Sequence, residues 1–246
     1  MDTAKQVMGT QDTMKEPQLI TTEDGSHSLW MPELKESYHS THGAIQEAQH
    51  VFIHHGLLHW LNSEAKSSIN ILEVGLGTGL NALLTYLVSL TKQIQVAYTG
   101  LEPFPIPRKY VQSLNYATQL AQQTSNAVTY QELQAVFEKL HRGTAIAAFR
   151  IADHFLLRKS NHSLQVFSVP SNTFDLIYFD AFSPNKQPTM WSMDVLQKVY
   201  QMMKYRGIIV TYCAQGRLKR HLKQLGMQVE VLPGPPGKRE MIRARK

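Results

Sequence analysis

Cysteine is almost absent. Cys213 is the single one in 246 residues, so no internal disulfide can form and a reducing compartment is expected. No stretch approaches the roughly 18 consecutive apolar residues that a membrane-spanning helix requires. The opening residues, MDTAKQVMGTQDTMKEPQ, are polar and hold no apolar signal core. Export and membrane insertion are therefore not expected, and a cytoplasmic location is. No internal repeat and no long low-complexity linker divides the chain. Metal chemistry also lacks its usual marks. His39, His42, His50, His54, His55 and His59 crowd one region, but there is no H-E-x-x-H and no cysteine pair. These histidines read as solvated or partner-facing, and no metal is expected.

What is present is ordinary globular material with a basic bias. The hydrophobic share of 43% and the length suit one full core, with room for a small additional subdomain. Net charge is +6, with a pI near 9.3. Arg217, Lys219, Arg220, Lys223, Lys238, Arg239, Arg243, Arg245 and Lys246 gather in the last third. Clustered basic residues favour a phosphate-rich partner more than a uniform excess would.

Residues 1–17 read as a disordered tail. Residues 18–65 read as a small N-terminal subdomain, with two short strands around Asp24-Gly25 and a helix with an apolar stripe over 43–61. From residue 66 to 246, strands and helices alternate. Strands are expected at 69–74, 95–100, 145–151, 174–179 and 207–212, with helices between and after them. Two last strands, 228–232 and 240–245, are joined by a Pro/Gly turn and should pair antiparallel. The pattern predicts an α/β fold with a mainly parallel, seven-stranded sheet.

The first strand of this unit runs into a glycine turn, INILEVGLGTGLN (69–81). Gly75, Gly77 and Gly79 allow a tight turn and close approach of a ligand to the main chain. The dinucleotide fingerprint G-x-G-x-x-G is not met, because Leu80 stands at the third glycine position. With Glu73 ahead of it, the turn resembles the first motif of class I S-adenosylmethionine (SAM)-dependent methyltransferases; a plain glycine turn is the alternative. Under that resemblance the second strand's end, YTGLEPFP, places Glu102 to accept hydrogen bonds from the ribose hydroxyls, since a carboxylate suits a vicinal diol. The third strand's end, FRIADHF, places Asp153 at the adenine amino group. Such sites lie at the carboxyl edge of the sheet.

The fourth strand, FDLIYF, ends in Asp180 and is followed by the proline-stiffened loop AFSPNKQPTMW. Here DAFSPNKQPTMW (180–191) resembles the D-[AG]-F-x-P-x-x-x-P-x-M-W signature of the tRNA 5-(aminomethyl)uridine methyltransferases. These form the methyltransferase half of the bifunctional enzyme MnmC and a stand-alone group often called MnmD. EVGLGTGLN (73–81, including Asn81), LEPFPI (101–106), GPPGKREM (234–241) and residues 24–53, with Tyr38, Ser40, Gly43 and Glu47, resemble that family's other segments. The resemblance covers about residues 18–246.

The resemblance implies a Rossmann-like class I fold and N-methylation, by SAM, of 5-aminomethyl-(2-thio)uridine at the tRNA wobble position. It implies Glu73, Gly75, Gly77, Gly79, Asn81, Glu102 and Asp153 as SAM-binding residues and Asp180 as the residue that binds and helps deprotonate the amine. Phe182, Tyr38, Lys238 and Arg239 are the residues it suggests for substrate or tRNA contact, with Trp191 packing the loop down and Tyr38 and Ser40 either capping the following helix or covering the pocket. The chain ends just after the KREM motif, so no oxidase activity is expected of it; either another enzyme supplies the aminomethyl substrate, with a functional link to a separate flavin-dependent oxidase or the wobble-uridine modification pathway, or that substrate is made directly. Two other readings stay open: a methyl- or aminopropyltransferase acting on a small amine, and a non-catalytic RNA-binding protein that retains the fold.

Overall fold

Apolar residues alternate sides along the central strands and build two cores, one on each face of a single sheet. Ile71, Leu176, Tyr178, Ile208 and Val210 belong to one core; Leu72, Ile177, Phe179 and Ile209 belong to the other. Side chains with a period of two do this wherever both faces of a strand are covered. The structure is a computed structural model that describes residues 16–64, 66–124, 128–142 and 148–246. The expected disordered tail therefore lies almost wholly outside the described residues.

Strands β1 (Gln18–Thr21), β2 (His27–Met31) and β3 (Glu36–Ser37) form a small antiparallel sheet. A continuous helical segment follows: α1 (Ala44–Ala48), a π-helical stretch (Gln49–Leu58) and α2 (His59–Ser63). The main sheet contains β4 (Ser68–Val74), β5 (Gln95–Leu101), β6 (Ala148–Ala152), β7 (Phe155–Ser160), β8 (Phe174–Phe179), β9 (Met203–Thr211), β10 (Gln228–Pro233) and β11 (Glu240–Arg245). Its helices are α3 (Leu80–Lys92), α4 (Arg108–Ser113), α5 (Tyr116–Gln123), α6 (Tyr130–His141), α7 (Met193–Met202) and α8 (Gly216–Gln224). Sheet order is β10-β11-β9-β8-β4-β5-β7-β6. The pairings β9-β8, β8-β4, β4-β5 and β5-β7 are parallel, and β10, β11 and β6 are added antiparallel.

The α/β class agrees with the sequence. The helical segment 44–63, expected within a small N-terminal subdomain, packs on the sheet. Ala44, Ile45, Val51, Phe52, Leu57 and Trp60 share one core with the sheet, and Phe52 lies 5.3 Å from Tyr178, ring centre to ring centre. A helix this apolar has to be covered, and the sheet face covers it. One expectation needs correction, and it concerns strand three. The segment at 148–152 is an antiparallel edge strand, and the strand parallel to β5 is β7. Among the described residues the sheet thus has eight strands rather than seven.

Between β4 and β8 the order of the parallel strands reverses direction: the chain builds outward through β5 and β7, then returns to β8 and builds the other way. Open α/β sheets bind ligands at such a switch point, outside the carboxyl ends of the strands. The opposite edge has its own device. Asp175, inside the apolar run of β8, is 3% exposed. Its Oδ2 accepts the Asn70 backbone N–H at 2.9 Å and the Lys204 ammonium at 2.7 Å, with Lys66 at 3.8 Å. Asp175→Ala should lower unfolding free energy by roughly 2–4 kcal/mol, because it strands a buried N–H and a cation. Urea denaturation measures this, and an unchanged midpoint would contradict the role given to Asp175.

Candidate active site

Val74 closes β4 and takes the first step of the site. Its carbonyl accepts the Asp180 N–H at 2.9 Å, while the Gly75 and Leu76 N–H groups both donate to the Leu101 carbonyl at 3.0 Å. The ends of β4, β5 and β8 are thereby tied together. Gly75 (φ +90°) is required here, since a Cβ would stand 2.3 Å from the Asp180 carbonyl oxygen. Gly77 (φ +48°) lies under the Tyr38 ring, which a Cβ would meet at 2.9 Å. Around this turn opens a cavity of about 790 Å³.

Six acidic residues line the cavity, among them Glu47 on α1, Glu102 after β5 and Asp180 after β8. Glu102 is held by the main chain. Its Oε2 accepts the Gly77 N–H at 2.9 Å and its Oε1 the Phe104 N–H at 3.0 Å. Burial pushes its pKa up, and those two N–H groups oppose the shift. Each oxygen keeps a further lone pair for a ligand hydroxyl. Asp180 accepts from the Asn81 amide at 2.9 Å. Burial, then the negative charge of Glu47, pushes its pKa up to about 7, with the Asn81 hydrogen bond and Lys238 pulling the other way.

Glu73 is fully buried and does not line the cavity. It accepts from Asn81 at 2.8 Å and from the Tyr98 hydroxyl at 2.8 Å. Burial and the nearby Asp180 raise its pKa well above the ordinary carboxyl range. The Asn81 amide nitrogen thus serves two carboxylates at once, and its own oxygen is buried without a partner at the cavity wall. That free acceptor, beside a glycine turn and a diol-suited carboxylate, fits the amino, ribose and sulfonium groups of SAM. On the other side of the turn, His39 binds the Thr78 hydroxyl at 2.7 Å, and burial lowers its pKa to about 4.

The loop after Asp180 is fixed by aromatic contacts. Trp191 is buried, donates its ring N–H to the Phe182 carbonyl at 2.9 Å and packs edge-on to Phe179 at 4.9 Å. Phe182 lines the cavity and meets Tyr38 edge-on at 5.2 Å. Tyr38 and Ser40 both line the cavity, and Ser40 does not cap α1, whose N-cap is Gly43.

Of the residues expected from sequence, the cavity brings together Tyr38, Gly75, Gly77, Asn81, Glu102, Asp180, Phe182 and Lys238. It excludes four. Glu73 lies behind Asn81. Gly79 is the left-handed N-cap of α3 and faces His141. Arg239 is exposed on the hairpin, away from the cavity lining. Asp153 sits in the turn between β6 and β7, at the amino end of β7 and so at the wrong edge of the sheet. The residues at the correct edge are Ser163 and Leu164, after β7. Sequence reasoning also gave Glu47 no role, although a lone carboxylate close to the apolar Ala44, Ile45 and Ala48 was a visible signal. The basic cluster is partly spent internally: Lys238 pairs with Glu47, Lys219 with Glu240, Arg243 with Glu230 and Arg245 with Glu64. Arg217, Arg220 and Lys223 remain exposed on α8. Among the described residues no three of His, Cys, Asp or Glu converge to hold a metal ion, and no helix is long and apolar enough to cross a membrane.

Known proteins share this architecture. Residues 161–246 match the family described as S-adenosyl-L-methionine-dependent methyltransferase. The tRNA 5-methylaminomethyl-2-thiouridine biosynthesis bifunctional protein MnmC of Leptospira interrogans is 27% identical over 216 residues, covering 85% of this chain and 32% of that protein. The protein of the same name from Burkholderia multivorans is 27% identical over 229 residues, covering 91% of this chain and 34% of its own length. The chain therefore spans about a third of the curated relatives it matches. The crystal structure of MNMC2 from Aquifex aeolicus superposes with a TM-score of 0.70 at 22% identity, covering 93% of this chain and 70% of that one, a likeness of fold. The chain is thus similar in sequence to MnmC proteins and in fold to MNMC2, and its residues 161–246 match the SAM-dependent methyltransferase family.

Proposed function

We propose that this chain methylates a primary amine with SAM, and that the amine is the exocyclic nitrogen of 5-aminomethyl-(2-thio)uridine at the wobble position of tRNA. The observation that carries the reading is the Asp180 carboxylate, set in the acid-lined cavity one strand away from the glycine turn. The names of the matched relatives support the substrate: 5-methylaminomethyl-2-thiouridine differs from its aminomethyl counterpart by one N-methyl group. The exposed basic residues of α8 suit a phosphate backbone.

When bound, SAM supplies an electrophilic methyl group on a sulfonium. The chain's own residues do the rest. Glu102 accepts from the ribose hydroxyls while its backbone donors keep it oriented. Ser163 and Leu164, which line the cavity after β7, would hold the adenine in the place first given to Asp153. Asn81 offers its free oxygen to the amino group of the methionine moiety. A primary amine is mostly ammonium at pH 7 and has no lone pair to attack with. Asp180 binds the ammonium, aligns its nitrogen and takes one proton, leaving the neutral amine to attack. Phe182 and Tyr38 form the aromatic wall on which a splayed uridine can stack.

The direct test supplies the protein with methyl-labelled SAM and tRNA carrying 5-aminomethyl-2-thiouridine. Polyamines form a second arm, because an acid-lined cavity would also hold a small polycation. Label at the wobble nucleoside supports the reading; label in polyamine alone, or none, overturns it. Asp180→Asn should lower turnover roughly 100-fold or more with SAM affinity nearly kept; parallel loss of SAM binding, read by calorimetry, would remove Asp180 from the acceptor role. Glu102→Ala should weaken SAM binding roughly 10- to 100-fold through lost charge-assisted hydrogen bonds, and unchanged affinity would defeat the ribose assignment. Asp180 must be ionised to take a proton, and its pKa is raised to about 7. Hence kcat/KM should fall as pH drops through about 7, and Asp180→Asn should remove that limb. A wild-type profile lacking it would count against proton transfer to Asp180.

A further inference from the structure

Glu47 enters the site from α1, the layer whose sequence suggested a separate unit. Its side chain is 6% exposed. One oxygen accepts the Ser40 backbone N–H at 2.7 Å, and the other takes the ammonium of Lys238. Lys238 reaches in from the turn between β10 and β11. Its Nζ lies 3.8 Å from the centre of the Tyr212 ring, and the Tyr212 hydroxyl donates to the carbonyl of Ala181 at 2.8 Å. The lysine is thus clamped between a carboxylate and an aromatic face, as a bound ammonium would be, and all four residues Glu47, Asp180, Tyr212 and Lys238 line the same cavity.

The charges around Asp180 come from every element packed against it. Glu47 faces it from α1, Glu73 from β4 and Lys238 from the hairpin turn. Tyr98 and Tyr212 also interact with it, and His39, beside Glu47 and Lys238, is kept neutral by burial. Taken as ionised, Glu47, Asp180 and Lys238 leave one negative charge. An acceptor ammonium completes the balance.

We infer that Glu47 is a positioning residue: it holds the Lys238 ammonium away from Asp180, so that the seat beside Asp180 stays open to the acceptor amine. The inference rests on the reading that Asp180 receives an amine. Two ammonium groups cannot both take that seat. Without Glu47, Asp180 becomes the carboxylate left for Lys238, and a tethered lysine competes at an effective concentration no dilute substrate reaches. Stability alone does not call for such a pair, since buried ion pairs often gain little over apolar replacements.

The test compares wild type, Glu47→Gln and the double variant Glu47→Gln/Lys238→Met, using labelled SAM and aminomethyl-bearing tRNA, with SAM binding measured in each. Glu47→Gln should bind SAM as wild type does but lose roughly 10-fold or more in kcat/KM for tRNA. Its acid limb should move to lower pH, because Asp180 exchanges a repelling carboxylate for an ammonium. The double variant should regain most of the activity, and its limb should move back up. An unaffected Glu47→Gln, an unmoved limb, or a double variant as impaired as Asp180→Asn overturns the inference. The comparison of the double variant with wild type stands even if the single variant does not fold. Wild-type protein that transfers no label overturns the functional reading and this inference together; wild-type transfer with an unrestored double variant overturns this inference alone.

Discussion

The site depends on how closely the backbone at Gly75 passes the backbone at Asp180. A Cβ at Gly75 would reach within 2.3 Å of the Asp180 carbonyl oxygen, so any other residue would push the β4 turn and the β8 loop apart. The Asp180 N–H bonded to the Val74 carbonyl holds the two together from the other side. Because these are the central strands, at the point where the sheet reverses its order, their contact would set, in the proposed reaction, where the methyl donor lies relative to the acceptor. Everything else at the site is arranged around that junction: Glu102 locks onto the turn through Gly77, and Asn81 spans from Glu73 to Asp180.

The second organising fact is electrostatic. A cavity in which Glu47, Glu102 and Asp180 converge concentrates negative charge where, in the proposed reaction, both reactants would bring positive charge, a sulfonium and an ammonium. Burial keeps that charge costly. The cost shows in Asp180, raised to about 7, and more strongly in Glu73, raised well above the ordinary range. A carboxylate poised near neutral pH can accept a proton and still release it, which a fully solvated aspartate does poorly. Lys238 moderates the same charge from inside the protein and so has to be kept in place.

Much of this was legible in the sequence because it depends on short-range patterns. The β8 run FDLIYF, the glycine turn and the final hairpin each carry their signal within a short continuous stretch, and the structure places these elements as read. What was not legible depends on pairing across the sheet. FRIADHF looks like a strand ending in an acid, yet the neighbour of β5 is the following strand, β7. Asp153 is therefore carried to the opposite edge, and Ser163 and Leu164 arrive in its place. Glu73 reads as a ligand contact from its position in the motif, and only the fold shows it covered by Asn81. Glu47 and Lys238 are separated by most of the chain, and no local pattern announces that they meet. The basic cluster in the last third was partly misleading for the same reason, since several of its members face carboxylates within the molecule.

The central claim is that Asp180 holds the nucleophilic nitrogen at the reacting end of the SAM site. A crystal structure of the protein with a SAM analogue that carries an amine in place of the sulfonium methyl tests it most directly. The account predicts the ribose hydroxyls on Glu102 and the analogue's amine within about 3 Å of the Asp180 carboxylate. An analogue bound with its amine directed away from Asp180, or with its ribose off Glu102, would contradict it.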